Sequence, residues 1–514
     1  MSTIWTPAVA LSSVEERIVA RCKKAKLYVF LRQHRHKLFD EGFQRELMAM
    51  SPQRRRGDEP LPPAMLAMAT ILQAYEGLSD EDAVEASVDS RRWQMLLGTL
   101  GSDDPAFSQG TIFNFRQRLI AHDLDRRLVE RTVELARTTR GFSHKALKAA
   151  FDSSPLFGAG RVEDTFNLIG HAVRDVVHTV AARLEISFDE AARRGGVPLV
   201  AGSSLKAALD VDWDDPKQKK SALETLLQQV GELRVFLEKE LADGLDAPPL
   251  SEQWATVEQI IGQDIEPDPE GGGSRIRQGV AKERRISISD GEMRHGRKSK
   301  SGRIDGYKRH LAVDLDAKLI LAATVTPANR PEGEASTALM DDVERQGFTV
   351  ADLHIDRAYL FSEGVEARRF WDMRVHAKAF PLRNGGRFTK ADFALDFSTA
   401  QVTCPAGVTA PFVVGGVTRF PPSACGPCPK RDRCTTATAR SLAIHREEPF
   451  LVELRETQKT AEGRADLRSR TGVEHRLAAV GGPRRKRARY RGVRKNLYDV
   501  RRHAAVANLH AAAA

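Results

Sequence analysis

Along the first 150 residues, apolar side chains recur at helical spacing. PPAMLAMATILQAYEG carries a continuous apolar face, and LSDEDAVEASVDSRRWQMLLG follows it. Ser79, with Asp82 three residues on, predicts an N-cap pairing that starts the second of these helices. In DDPAFSQGTIFNFRQRLIAHDL, Pro105 and Gly110 interrupt the pattern. Ile112, Phe115 and Leu119 then recur at spacings of three and four, with Thr111, Asn114, Arg116 and Arg118 on the other face. Two short helices, a turn and a helix with a polar, basic face fit a helix-turn-helix DNA reader, a pattern many small bundles share. A second helical stretch, about 163 to 262, is rich in charge, and EPDPEGGGSRIRQG (266 to 279) reads as a flexible connector.

Beyond the connector the period changes. RRISISD alternates in strand fashion, and GYKRHLAVDLDAKLILAATVTPANR reads as two strands joined by a turn around Asp314 to Lys318. An amphipathic helix (about 332 to 347) leads into VADLHIDRAYLF, an apolar strand ending on Asp356. VHAKAF, near 375 to 380, reads as a further strand. Earlier in the chain, LKAAFDSSPLF is a short apolar segment that ends at Asp152. Strands alternating with helices in this way predict an α/β mixed sheet.

Composition narrows the class. At 514 residues the chain has room for two to four domains, and 41% apolar with 29% charged residues is ordinary for a globular protein. The start shows no secretory pattern, and no apolar run reaches the ~18 residues of a membrane span. A cytoplasmic protein without a membrane partner is expected. The net charge of +10 is unevenly spread: from Arg484 to Arg502, ten Lys or Arg face one acid, Asp499. MRHGRKSKSGR (293 to 303) forms a second basic run. Such blocks suit a polyphosphate backbone, and Tyr490 and Tyr498 among the arginines offer stacking faces.

Two sets of residues carry candidate chemistry. Asp152 and Asp356 at predicted strand ends, with Glu474 on a helical stretch bordered by Val473, Leu477 and Val480, are hard oxygen donors of the kind Mg²⁺ (or Mn²⁺) prefers. Paired ions about 4 Å apart activate a nucleophile and stabilise a leaving phosphodiester oxygen. Asp290, in SISDGEM, is the rival for the first acid. Four of five cysteines, Cys404, Cys425, Cys428 and Cys434, fall within a short late segment. One C-x-x-C with two further thiols suits a structural Zn²⁺ in a loop-rich insertion that lacks a core of its own.

From about 60 to 510 the chain resembles bacterial insertion-sequence transposases of the DDE type. FDSSPLFGAGRVEDTFNLIGHAV looks like the segment holding the family's first aspartate. MRHGRKSKSGRIDGYKRHLAVDLDAKLILAATVTPANRPEGEA looks like its central hairpin, and IDRAYL like the second-aspartate motif. VEHRLA with RARYRGVRKNLYDVRRHAAVANL looks like the glutamate helix and its tail, and TIFNFRQRLI resembles the helical N-terminal domain.

The resemblance implies a ribonuclease-H-like catalytic core in which Asp152, Asp356 and Glu474 hold the metal. It implies a helical DNA-binding domain (1–145), a first core strand (146–162) and a helical insertion with linker (163–280). The core then continues (281–390), followed by a Cys-containing insertion (391–450), the glutamate helix (451–482) and a basic tail (483–514). Some relatives carry a tyrosine, arginine and lysine around the glutamate. Here Arg470 fits the arginine, but Leu467 and Gly481 stand at the other two positions, with Arg476, Arg484 and Arg485 as substitutes. Arg357, Tyr359, Arg489 and Arg491 join Arg116 and Arg118 as candidate DNA contacts. The implied activity is cleavage at the element's inverted-repeat ends and 3′-OH transfer into target double-stranded DNA, by a homodimer when the two ends are synapsed. The alternatives are a nuclease of the same fold that does not join, and a helix-turn-helix DNA-binding protein with a dead core.

Overall fold

The computed structural model describes residues 3–51, 60–141, 146–242, 245–298, 302–482 and 486–514. Eight helices come first: α1 (Ser13–Arg21), α2 (Lys26–Leu38), α3 (Glu41–Ala49), α4 (Pro63–Glu76), α5 (Asp80–Asp89), α6 (Arg91–Leu97), α7 (Gln109–Ala121) and α8 (Leu124–Arg140). The N-terminus of α5 is the predicted pairing: the Ser79 hydroxyl accepts from Asp82 N–H, and the Asp82 carboxylate accepts from Ser79 N–H. Ile112, Phe115 and Leu119 of α7 are buried, as their spacing requires.

Strand β1 (Leu147–Phe157) follows. It runs five residues past Asp152, so this acid lies mid-strand rather than closing it. Helices α9 (Thr165–Leu184), α10 (Phe188–Arg194), α11 (Leu205–Leu209), α12 (Pro216–Glu240) and α13 (Leu250–Asp264) then pack around their own apolar cluster, which includes Val176, Leu226 and Trp254. The expected flexible connector instead contains a two-stranded sheet, β2 (Ile265–Pro267) and β3 (Ser274–Ile276). RRISISD forms no strand. Its two isoleucines divide between two cores: Ile286 is buried in the sheet's apolar cluster with Leu156 and Met293, Ile288 packs against the cluster of the insertion helices, and Ile286 C=O accepts from Glu163 N–H at 3.0 Å.

The mixed sheet is completed by β4 (Arg294–Arg297), β5 (Arg303–Asp314), β6 (Ile320–Pro327), β7 (Val350–His354) and β8 (Arg374–His376). The predicted hairpin turn separates β5 from β6. The order is β4-β5-β1-β7-β8, with β6 on β5; β5 is antiparallel to β1, and β1, β7 and β8 are parallel. Helices α14 (Ser336–Arg345) and α15 (Glu363–Arg369) connect the later strands. Period-two alternation decides what each face of β1 meets. Leu147, Ala149 and Phe151 join the cluster shared with the N-terminal helices. Ala150 and Leu156 join Leu311, Val473 and Leu477 on the other face.

The cysteine segment folds as β9 (Ala394–Asp396), β10 (Gln401–Thr403), β11 (Thr409–Pro411), β12 (Val417–Arg419), α16 (Pro422–Cys425) and β13 (Ser441–Ala443). Contrary to expectation it has an apolar core, in which Phe393, Val402, Phe412, Phe420 and Leu442 are buried together. Helices α17 (Glu448–Thr457), α18 (Ala461–Ser469) and α19 (Thr471–Gly481) lead to α20 (Val493–Ala513). That last helix is no solvated tail. It packs against α8, α4, α2 and β6 and ties the helical bundle to the sheet. Arg501 is buried against Asp123, Asp125 and Asp342, and Arg502 against Asp499 and Gln73. Asn508 serves the edge of β6: its Oδ1 accepts from Ile320 N–H at 2.7 Å and its Nδ2 donates to Ile320 C=O at 2.8 Å. A buried strand edge is thereby satisfied by one amide. Among the described residues, no helix is long and apolar enough to cross a membrane.

Candidate active site

Asp152 and Asp356 are brought level by strand register. Lys148, Ala149 and Ala150 of β1 pair in parallel with Asp352, Leu353 and His354 of β7, so two further residues carry each chain to its aspartate. Even positions of β1 face α19, which places Asp152 under that helix. Asp356 lies just beyond β7, where its carboxylate accepts from Arg357 N–H at 2.7 Å and starts a short 3-10 turn, Arg357–Tyr359.

Glu474 is tied to Asp152 through one guanidinium. The helix breaks at Arg470, between α18 and α19, and this side chain donates to Asp152 Oδ2 at 2.8 Å and to Glu474 Oε1 at 3.0 Å. The two acids are 322 positions apart in the chain, and a single cation spans them. Val473, Leu477 and Val480 bury the inner face of α19 on the sheet, while Glu474 stays about half exposed. Burial raises the Asp152 carboxyl above the usual aspartate range. Glu332 and Glu474 push it the same way, and Arg470 opposes them.

Tyr359 lies beneath this cluster. It is fully buried, its hydroxyl 2.8 Å from His310 Nδ1, and His310 Nε2 is 2.9 Å from the Thr326 hydroxyl. Burial raises the phenol well above its ordinary value, and Glu332, Asp152 and Asp356 all add to the rise. Three carboxylates, Glu332, Asp152 and Asp356, thus act on one buried hydroxyl, and Arg470 links Asp152 to Glu474. Glu332 escaped the sequence reading because a glutamate in the polar turn ANRPEGEA carries no periodic signal. Arg309 escaped it too. Its guanidinium abuts Gly481, where a Cβ would lie 2.8 Å from it, and it donates to the Ser154 hydroxyl.

The other candidates fall in different places. Asp290 is buried away from the cluster; one oxygen accepts from Tyr307 O–H at 2.5 Å and from Gly492 N–H at 3.1 Å. Arg116 is 5% exposed, held by both oxygens of Asp80 and stacked over Tyr490, so it presents no free face to DNA. Tyr359 is likewise interior, and Tyr498 is covered, with Arg502 over its ring. Asn114 is exposed, while Arg118 is half-buried and donates to Asn114 C=O. Arg489 is exposed and reaches Leu78 C=O; Arg491 is exposed; Arg357 is half-buried beside Asp356. Arg476 is partly buried, which lowers its pKa. Arg484 and Arg485 lie outside the described residues, as do positions 299–301 of the other basic run.

Hard carboxylate oxygens crowded around one countercharge are the donor chemistry for Mg²⁺ or Mn²⁺. The four clustered cysteines are all reduced and line one cavity of about 30 Å³, and Cys434 is raised by burial and by the other three thiols. As the side chains stand, no group of three or more His, Cys, Asp or Glu among the described residues is close enough to hold a metal ion.

Comparison with known proteins matches two stretches of the chain. Residues 20–118, from α1 through most of α7, match the family described as Transposase domain (DUF772). Residues 403–512, which contain the four clustered cysteines, Glu474 and nearly all of α20, match the family described as Transposase DDE domain. No curated protein and no solved structure matches the chain. Two transposase domain families match in order toward opposite ends of one polypeptide, and together they support an insertion-sequence transposase of the DDE type.

Proposed function

We propose that this transposase cuts phosphodiester bonds at the ends of its element and joins the freed 3′-hydroxyls to target DNA, using Asp152, Asp356 and Glu474 on a ribonuclease-H-like core. One observation carries the reading: Asp152 on β1 stands level with Asp356 just past the end of the adjacent parallel strand β7, and the glutamate of a covering helix is bound to Asp152 through Arg470. The strand order, with β5 antiparallel to β1 and with β1, β7 and β8 parallel, supports the core assignment.

Divalent ions on these carboxylates would supply charge neutralisation and an activated water or hydroxyl. The chain's own groups do the remainder. Asp152, Asp356 and Glu474 fix where the reacting phosphate can sit. Arg470, which donates to Asp152 and Glu474, would be the side chain to bind a non-bridging phosphate oxygen. The Tyr359–His310–Thr326 chain holds the 3-10 turn after Asp356 against the sheet. Catalysis of this kind is positioning and electrostatics rather than covalent chemistry by the protein. Acting on two ends at once calls for two copies of the chain at synapsis.

The test is Asp356→Asn in a Mg²⁺-dependent nicking and joining assay on the element's own ends. The variant should lose strand cutting while end binding stays near that of the parent. Full cleavage by Asp356→Asn removes this residue from the site.

The cysteine module is proposed to hold a structural Zn²⁺ on Cys404, Cys425, Cys428 and Cys434. The support is their convergence on one small cavity, and thiolates are the donors that favour this ion.

A further inference from the structure

A second surface lies along the same strand as Asp152. At the far end of β1, Phe157 to Val162 line an open cleft of about 580 Å³ together with Ser289, Asp305, Arg487 and Arg491. Arg161, Arg487 and Arg491 bring three positive charges to it. Arg161 and Arg491 are exposed and have no hydrogen bond or ion pair among the described residues. The acid in the lining, Asp305, is already engaged by His295 at 2.6 Å and Arg303 at 2.8 Å. Positive charge is therefore uncompensated here.

The backbone fixes this cleft relative to the acids. Phe157 N–H donates to Lys486 C=O at 2.9 Å, and Ala488 N–H donates to Phe157 C=O at 2.6 Å. The Arg487 guanidinium donates to Gly158 C=O and Ala159 C=O, each at 3.3 Å. The basic segment before α20 is thus stitched to the strand that carries Asp152. Five residues of strand at ~3.3 Å each separate Asp152 from Phe157, roughly 17 Å, or about five base-pair steps of a duplex.

We propose that this cleft binds the phosphodiester backbone of duplex DNA beside the cutting site, with Arg161 and Arg491 as its phosphate contacts. The proposal rests on the transposase reading and adds where the duplex runs. Arg487, partly spent on backbone carbonyls, shapes the cleft floor. Phe157 and Val162 give exposed apolar surface along it.

The experiment is a salt titration. A fluorescein-labelled 40-base-pair duplex of random sequence is bound to the full chain in EDTA across a NaCl series. Each lost phosphate contact reduces the slope of log K against log salt by ~0.9. The double variant Arg161→Ala with Arg491→Ala should bind more weakly, with a slope shallower by about two. Lys217→Ala with Lys219→Ala, two exposed charges on α12, should leave the slope unchanged. If the alanines lower the thermal midpoint, the glutamine pair at 161 and 491 repeats the measurement. A slope equal to the parent's, or an equal loss in the lysine variant, overturns the cleft and leaves the transposase reading standing. No duplex binding by the parent overturns both.

Discussion

His310 braces the candidate site from below, and its protonation sets a pH limit. Burial holds its imidazole down to about 3, so it stays neutral between the Tyr359 and Thr326 hydroxyls. In the unfolded chain the same group takes up a proton near its ordinary 6.5. Between those values the unfolded state binds more protons, so stability rises with pH across the window and levels off above it. His310→Gln removes the titration while keeping a hydrogen-bonding side chain. Urea unfolding from pH 6.5 down to 4 should show a shallower acid decline for this variant than for the parent. His354, pushed to about 4 by burial, leaves part of the decline in place. A variant with the parent's slope would show that His310 is protonated in the folded state.

At the scale of elements, local signals were legible and distant partners were not. The Ser79–Asp82 cap and the β5–β6 hairpin rest on neighbours in sequence, so spacing alone finds them. The basic run ending at Arg502 looked like a tail because its countercharges are far away: Arg501 meets Asp123, Asp125 and Asp342 only in the fold. Arg116 misled for the same reason, its partner Asp80 being 36 positions earlier. Among the acids, all three members of the proposed triad were named from the sequence. Glu332 was not, since only the sheet brings it toward Asp152. The cysteine module belongs to this scale as well. It has its own buried core, so loss of metal should loosen the module without unfolding the chain. Protein purified without added zinc should carry one equivalent per chain, and Cys428→Ser should lower that figure and expose the module to protease while the thermal midpoint of the main core holds. Less than one equivalent in well-folded parent protein would remove the zinc site.

Across the whole molecule, a helix bundle and a mixed sheet share one apolar cluster, joined by α20. This continuity links the N-terminal segment to the strand bearing Asp152. Any DNA held by α7 or by the cleft beside Phe157 would therefore lie in a fixed relation to the acids. The central claim is that Asp152, Asp356 and Glu474, drawn from three distant segments, form one metal-binding site. Anomalous diffraction from crystals grown with Mn²⁺ tests it most directly. The account predicts Mn²⁺ peaks within about 2–2.5 Å of carboxylate oxygens of Asp152 and Asp356, with Arg470 moved off Asp152. Peaks ligated elsewhere, at Asp290 for instance, with Asp152 still paired to Arg470, would contradict it.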